Sequence, residues 1–257
     1  MGTIIYNGIS SESLGIIVQA PPAYEFPEDE IEMQHIPGRN GDLAIPTGAY
    51  QNVARTYSFA SIYSERPGGD GSFINNSQDI IAWLKSHKGQ YCRLEDTYDP
   101  DVYRMAIYTE SKEFVNYFNK VTVIEAEFNC KPQRWLKDGE TEVTKVSGDT
   151  ITNPTSYTAK PVLTVTVNGT AQEPVSTVIT FTAGTSTQTI TIAAQSDTKI
   201  FVIDCEDMFV TYNDGTNACD QVTLGNNEFP EFEGDTAYTI TISGNATLNI
   251  KPRWWTL

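Results

Sequence analysis

Positive charge is scarce in this sequence. Its 257 residues carry 17 Lys and Arg against 33 Asp and Glu, a formal net charge of −16. Nucleic-acid binding needs clustered Lys and Arg that displace counterions from phosphates. An acidic surface repels that polyanion and anionic membranes alike, so neither is an expected direct partner. Histidine is scarcer still, with only His35 and His87. Neither has a sequence neighbour that suggests a triad, and no G-x-S-x-G occurs, so nucleophilic hydrolysis lacks its parts. The four cysteines, Cys92, Cys130, Cys205 and Cys219, make no C-x-x-C pair. No zinc site of the usual spacing is expected, and no cofactor. In a reducing cytoplasm they read as buried thiols, with any pairing of Cys205 and Cys219 left open. No run approaches the roughly eighteen apolar residues of a membrane span. The opening ten residues, MGTIIYNGIS, lack the basic start and long apolar stretch of a signal peptide.

What is present favours strands. Eleven Phe, thirteen Tyr and four Trp suit half-buried pleated surfaces. The 18 Gly and 13 Pro are spread as turn punctuation and not massed in one tract. The length allows one large β domain or two ordinary ones. A composition shift near residue 136, from aromatic and charged to Thr-rich, predicts domains over 1–136 and 137–257. The polar stretch from Lys137 to Asp149 reads as a linker or edge hairpin. Both halves end alike: residues 129–135 read NCKPQRW and residues 249–255 read NIKPRWW. Proline cannot donate to a ladder, so each Lys-Pro marks the end of a last strand.

In the first half, strands are expected at Ile4–Tyr6, Ile16–Gln19, Ile31–Ile36, Val53–Ile62, Tyr91–Glu95, Tyr103–Thr109 and Lys120–Phe128. One helix is expected over about 77–88. Asn76 or Ser77 would cap it, and Ile80, Ile81, Trp83 and Leu84 would form its apolar stripe. Lys85 and Lys88 would fall in its last turn, near His87, and Gly89 would stop it. The preceding loop, Arg66-Pro-Gly-Gly-Asp-Gly71, is glycine-rich without a phosphate-binding pattern. The second half alternates with period two: Leu163, Val165 and Val167, then Ile179 and Phe181, Ile190 and Ile192, and Tyr238, Ile240 and Ile242. Turns fall at Asn168-Gly169, Asn213-Asp214-Gly215 and Ser243-Gly244-Asn245. Short alternating strands of this kind imply a sandwich. The fold class is therefore mainly β, with two sandwich domains and one helix in the first.

Carboxylates are the only candidates for chemistry. Asp96, Asp99 and Asp101 lie close together, but they lack the glycine and terminal Glu of an EF-hand loop. A hairpin turn is the plainer reading, since Asp and Pro suit turn geometry. The step Asp204-Cys205-Glu206-Asp207 reads as a second turn or an interface. The run Glu28-Asp29-Glu30 with Glu32, beside Met33 and Ile36, is either a charged strand edge or a subunit contact. The most distinctive segment is His35-Ile-Pro37-Gly38-Arg39-Asn40-Gly41-Asp42-Leu43. Pro-Gly and Asn-Gly so close together force a tight loop with Arg39 and Asp42 exposed. Trp254 and Trp255 are candidates for stacking on a sugar, and alternation would bury one and expose the other.

The segment Ile36–Leu43 resembles the P-G-R-x-G-x-L stretch near the start of siphophage distal tail proteins. Further pieces follow in that family's order: Gln78–Leu84 at its helix, Leu94 through Tyr103-Arg104 at its D-P-D-x-Y-R hairpin, and Phe128-Asn-Cys-Lys-Pro132 at the end of its first domain. Ile203–Glu206, Phe229-Pro230 with Gly234, and Ile250–Trp254 are similar to its later landmarks. The resemblance implies a first domain whose six copies form a ring about the tail channel, and a second, galectin-like or carbohydrate-module-like sandwich. It implies a hexameric, non-catalytic virion protein at the distal end of the tail, assembled in the host cytoplasm. Its partners would be the tail tube protein, the tail-associated hub or lysin protein, and receptor-binding or baseplate proteins. Within that resemblance Pro37, Gly38, Arg39, Gly41 and Asp42 form a structural or interface loop. A carbohydrate-binding adhesin module is the alternative, with Trp254 and Trp255 as its contacts.

Overall fold

The computed structural model describes residues 2–62, 71–110, 112–118 and 120–257. The chain divides into two compact units, Met1–Arg134 with Leu257, and Trp135–Thr256. The first contains β1 (Ile4–Tyr6), β2 (Ile9–Ser10), β3 (Ile16–Val18), β4 (Asp29–Gln34), β5 (Leu43–Tyr50), β6 (Val53–Ile62), α1 (Phe73–Leu84), β7 (Cys92–Asp96), β8 (Val102–Tyr108), β9 (Val115–Tyr117) and β10 (Val121–Cys130). A short strand, β11 (Arg134–Leu136), follows at the division. The second unit contains β12 (Val143–Lys145), β13 (Thr150–Thr152), β14 (Val162–Asn168), β15 (Val175–Ala183), β16 (Ser186–Gln195), β17 (Thr198–Asp204), β18 (Phe209–Tyr212), β19 (Val222–Leu224), β20 (Ala237–Ser243), β21 (Ala246–Lys251) and β22 (Trp255–Thr256). The fold is mainly β, with one α-helix among the described residues.

The first unit is built on one antiparallel sheet, ordered β2-β1-β7-β8-β10-β6-β3, with β9 also beside β10. The sheet curls until its ends meet. Gly2, just before β1, bridges to Val18 on β3. A Cβ on Gly2 would lie 2.1 Å from the Tyr98 hydroxyl, so a larger residue there would have to push the Tyr98 ring aside. Strict alternation on β10 sends Ile124, Ala126, Phe128 and Cys130 inward. They meet Tyr6, Tyr57 and Phe59, and Phe128 takes edge-on contacts from Tyr6 at 5.0 Å and Tyr57 at 5.9 Å.

The helix α1 covers this core, but it starts earlier than its apolar stripe suggests. Ser72 caps it, accepting a hydrogen bond from the Asn75 N–H, while Asn76 and Ser77 lie buried inside it. Lys88 and Gly89 fall beyond its end, and Lys85 is its C-terminal cap. Ile80, Trp83 and Leu84 are buried, and the Trp83 indole N–H donates to the Tyr6 carbonyl. Ile81 faces out, because one residue is a turn of about 100° away from Ile80. Of the expected loop Arg66–Gly71, residues 66–70 lie outside the described residues.

The second unit is a sandwich of two five-stranded antiparallel sheets, β12-β21-β14-β17-β18 and β13-β20-β15-β16-β19. Leu163, Val165, Val167, Ile179, Phe181, Ile190, Ile192, Phe201 and Ile203 all point between the sheets and are fully buried. Burial of such side chains contributes roughly 1.5–3 kcal/mol each and is the main support of the unit. Gly215 and Gly244 take positive φ in their turns, as their sequences suggest. Gly169 does not. It is glycine for room, because a Cβ there would sit 1.9 Å from the Gln195 carbonyl oxygen.

Candidate assembly interface

The two strands β4 and β5 pair only with each other and form a separate ribbon in the first unit. Both faces are open: every residue of β4 is exposed. The register sets Ile31 opposite Pro46 and Met33 opposite Ala44, so these four share one face. Ile31 is 46% and Met33 60% exposed. Glu32, opposite Ile45, and Gln34, opposite Leu43, take the other face. The expected strand Ile31–Ile36 corresponds to β4, whereas β5 is not among the expected strands, because its Pro46 and Gly48 are poor strand formers. A ribbon without a sheet neighbour tolerates both.

The loop at the ribbon's tip holds Pro37, Gly38, Arg39, Gly41 and Asp42. The Arg39 N–H donates to the Ile36 carbonyl at 3.2 Å, and Gly38 has φ +83, which makes Ile36–Arg39 a turn with Pro and Gly in the two central places. Gly41 has φ +77. Asp42 returns beside His35, with Oδ1 3.1 Å from Nδ1 across the base of the loop. The Arg39 side chain stands exposed at the tip.

A second open apolar surface lies on the outer face of the curled sheet. Register places Ile17, Ala60, Val123 and Val115 in one row across β3, β6, β10 and β9. Ile62, Val121 and Tyr117 make the next row on the same face. A shallow groove of about 660 Å³ runs along it, bordered by Tyr98 and Gln19. Phe118, just past β9, is 93% exposed and holds φ +54, which a bulky side chain seldom adopts. A contiguous apolar patch of this kind marks a contact surface.

Of the acidic residues considered for chemistry, Asp96 and Asp99 brace a turn. Asp96 is buried. It accepts from the Tyr57 hydroxyl at 2.6 Å and from Arg55 at 3.0 Å, while its other oxygen accepts the Tyr98 and Asp99 N–H groups. Burial by itself raises its pKa, but the Tyr57 hydrogen bond and the Arg55 charge outweigh burial and hold it below the usual carboxylate value. Asp99 is paired with Arg134 and lies 3.9 Å from Arg104. Asp101 is exposed. Two carboxylates thus serve three arginines, and burial with Arg55 nearby lowers the pKa of Arg104. This network is a clasp on the β7–β8 turn. No trio of His, Cys, Asp or Glu among the described residues is placed to hold a metal.

The second unit repeats the device. Asp204 accepts the Glu206 and Asp207 N–H groups, and Arg253 grips both its oxygens at 2.7 Å. The Asp204 pKa is again lowered: burial opposes, and the Arg253 fork and the turn's N–H groups prevail. Each Lys-Pro ending therefore delivers an arginine, Arg134 or Arg253, to an aspartate in a turn of its own unit. The matching endings are visible in the sequence, but the aspartates they meet, 35 and 49 residues away, are not.

Trp254 is 6% exposed within the second core, and it presents no face to a sugar. Trp255 is half-buried, where alternation had suggested exposure. Its ring stacks on Tyr157 at 4.6 Å and its indole N–H donates to the Thr158 carbonyl. The proposed glycan platform is thus used internally. Of the two histidines, His35 lies beside Asp42 at the ribbon tip, and His87 Nδ1 lies 2.9 Å from the Asn7 amide nitrogen, past the end of α1. No helix among the described residues is long and apolar enough to cross a membrane.

No family model and no curated protein matches the chain. A solved structure does. SPP1 Dit (gp 19.1), described as a paradigm of the hub adsorption apparatus in phages that infect Gram-positive bacteria, aligns over 100% of both chains with a TM-score of 0.73 and 11% identity. The chain has the Dit fold. The Dit fold is thus kept where about nine residues in ten differ, as expected when burial pattern and turn geometry and not residue identity specify a β fold.

Proposed function

We propose that this protein is the structural hub of a long-tailed phage's tail tip. About six copies would close a ring through the first unit. The ring would join the tail tube to the tail-associated hub protein, with baseplate or receptor-binding proteins at its periphery. The second, galectin-like unit would be the outward-facing part. The likeness to SPP1 Dit across the whole chain supports the reading. The observation that carries it is the pair of unpartnered apolar surfaces on one unit, the ribbon face of Ile31 and Met33 and the sheet face on which Val115 and Tyr117 stand exposed beside the half-buried Val121 and Val123. Two different patches on one chain suit a heterologous contact, which repeats until a ring closes. A scaffold role, not catalysis, fits a chain whose buried charges are spent on turns.

Light scattering after size exclusion of the full chain tests this. Rings of about six subunits are expected. Met33→Glu or Val115→Glu, each replacing an exposed apolar side chain by a charge, should yield smaller species with an unchanged unfolding temperature. A wild-type chain that stays monomeric at every concentration would count against the hub reading. The carbohydrate alternative needs a free aromatic platform. Glycan titration of the full chain is expected to release no heat.

A further inference from the structure

The sequence contains three Asn-Gly pairs, Asn7-Gly8, Asn40-Gly41 and Asn168-Gly169. This dipeptide has a chemistry of its own. The glycine nitrogen, unshielded by a side chain, can attack the asparagine side-chain carbonyl carbon. A new C–N bond closes a five-membered succinimide, the Cγ–Nδ2 bond breaks, and ammonia leaves with the proton shed by the glycine nitrogen. Water then opens the ring at either carbonyl, giving aspartate or isoaspartate. The net change is one water consumed and one ammonia released, with no oxidant required. The attack needs a backbone free to bend toward the side chain and a glycine N–H not held in a hydrogen bond.

The three sites differ sharply in that freedom. At Asn7 the backbone N–H donates to the Arg93 carbonyl, the side-chain amide is held by His87, and the pair forms the turn between β1 and β2. Asn168 ends β14 opposite Thr198, and its N–H donates to the Asn245 carbonyl. The Gly169 backbone there is packed against Gln195. Asn40 is exposed at the ribbon tip, and neither its side chain nor its own N–H has a hydrogen bond among the described residues, whereas the glycine N–H is without one at all three pairs and does not separate them. A Cβ would meet nothing within 4 Å at Gly41 or at Gly8, so what sets Asn40 apart from Asn7 is the absence of hydrogen bonds on the asparagine itself.

We propose that Asn40 is a self-modifying site, deamidating through a succinimide with Gly41 while Asn7 and Asn168 stay intact. The product places a new carboxylate two residues from Asp42, and the isoaspartate form adds a methylene to the backbone of the ribbon tip. This inference does not depend on ring assembly, since it concerns the free chain.

The test is peptide mapping of the full chain during incubation in mildly alkaline buffer, using fragmentation that separates aspartate from isoaspartate. The mass gain of replacing an amide by an acid should appear first in the peptide holding Asn40 and rise with hydroxide. It should be at least ~tenfold slower at Asn7 and Asn168, because those ladders must first open locally. Chain unfolded in urea should react at all three sites alike. The Gly41→Ala variant should slow the Asn40 reaction in both states. Reaction at Asn7 or Asn168 as early as at Asn40 would overturn the proposal. So would a native Asn40 that stays unmodified while the unfolded chain reacts.

Discussion

At Asp96, burial and charge pull in opposite directions. Its pKa lies below the ordinary value because Tyr57 and Arg55 outweigh the cost of burial. The sign follows from linkage. Between the folded pKa and the unfolded value of about 3.9 the unfolded chain binds more protons, so stability falls as acid is added. Above that unfolded value the contribution is fully present. Urea unfolding followed from neutral pH downward should therefore lose stability below about pH 4. The Asp96→Asn variant should lose less across that range. Asp96→Ala should cost about 3–5 kcal/mol at neutral pH, because Arg55 is left buried and unpaired. An acid slope unchanged by Asp96→Asn would refute the pairing. The thiols give a second test. Burial pushes Cys130 up to about 12 and raises Cys205 as well, while Cys219 is exposed. Because the thiolate is the reactive form, alkylation of the native chain should label Cys219 alone, and denatured chain should label all four.

At the scale of the element, α1 shows both what the sequence displayed and what it hid. Ile80, Trp83 and Leu84 announced a helix by their spacing. They could not announce its first turn, because Asn75, Asn76 and Ser77 interrupt the apolar pattern after Phe73 and Ile74, and Ser72 caps through a contact made only once the chain turns. Ile81 joined the stripe on paper because a run of apolar residues does not say which neighbour faces the sheet. Substitution separates them. Ile80→Ala should cost about 2–5 kcal/mol as a core truncation, and Ser72→Ala about 1 kcal/mol as a lost cap. Ile81→Ala should cost far less, read by chemical denaturation. The sandwich strands were legible for a different reason. Two-sided alternation, as in Leu163, Val165 and Val167, is a strong local signal. The open surfaces were the least legible part. Ile31 and Met33 alternate like any half-buried strand, and only the pairing reveals that nothing covers them. The row of Ile17, Ala60, Val123 and Val115 draws on β3, β6 and the consecutive β9 and β10, segments spread over about a hundred residues that register alone brings together.

For the whole molecule, the formal charge of −16 sets the conditions under which copies can meet. Each added subunit brings like charge, and at low ionic strength that repulsion reaches tens of ångströms, against about 10 Å at 0.1 M salt. The proposed contact between the ribbon and the sheet face is apolar at its centre, so salt weakens the repulsion and leaves the attraction intact. Ring assembly should therefore grow with ionic strength. A series of light-scattering masses from low to moderate salt should rise from small species toward the closed ring. The opposite trend would mean that ion pairs hold the copies together. The acidic run of Glu28, Asp29, Glu30 and Glu32 would then be the first place to look for the contact. In that case Met33→Glu should leave the assembly nearly unchanged, and neutralising Glu30 and Glu32 should dissolve it. The two variants and the salt series together decide which chemistry closes the ring.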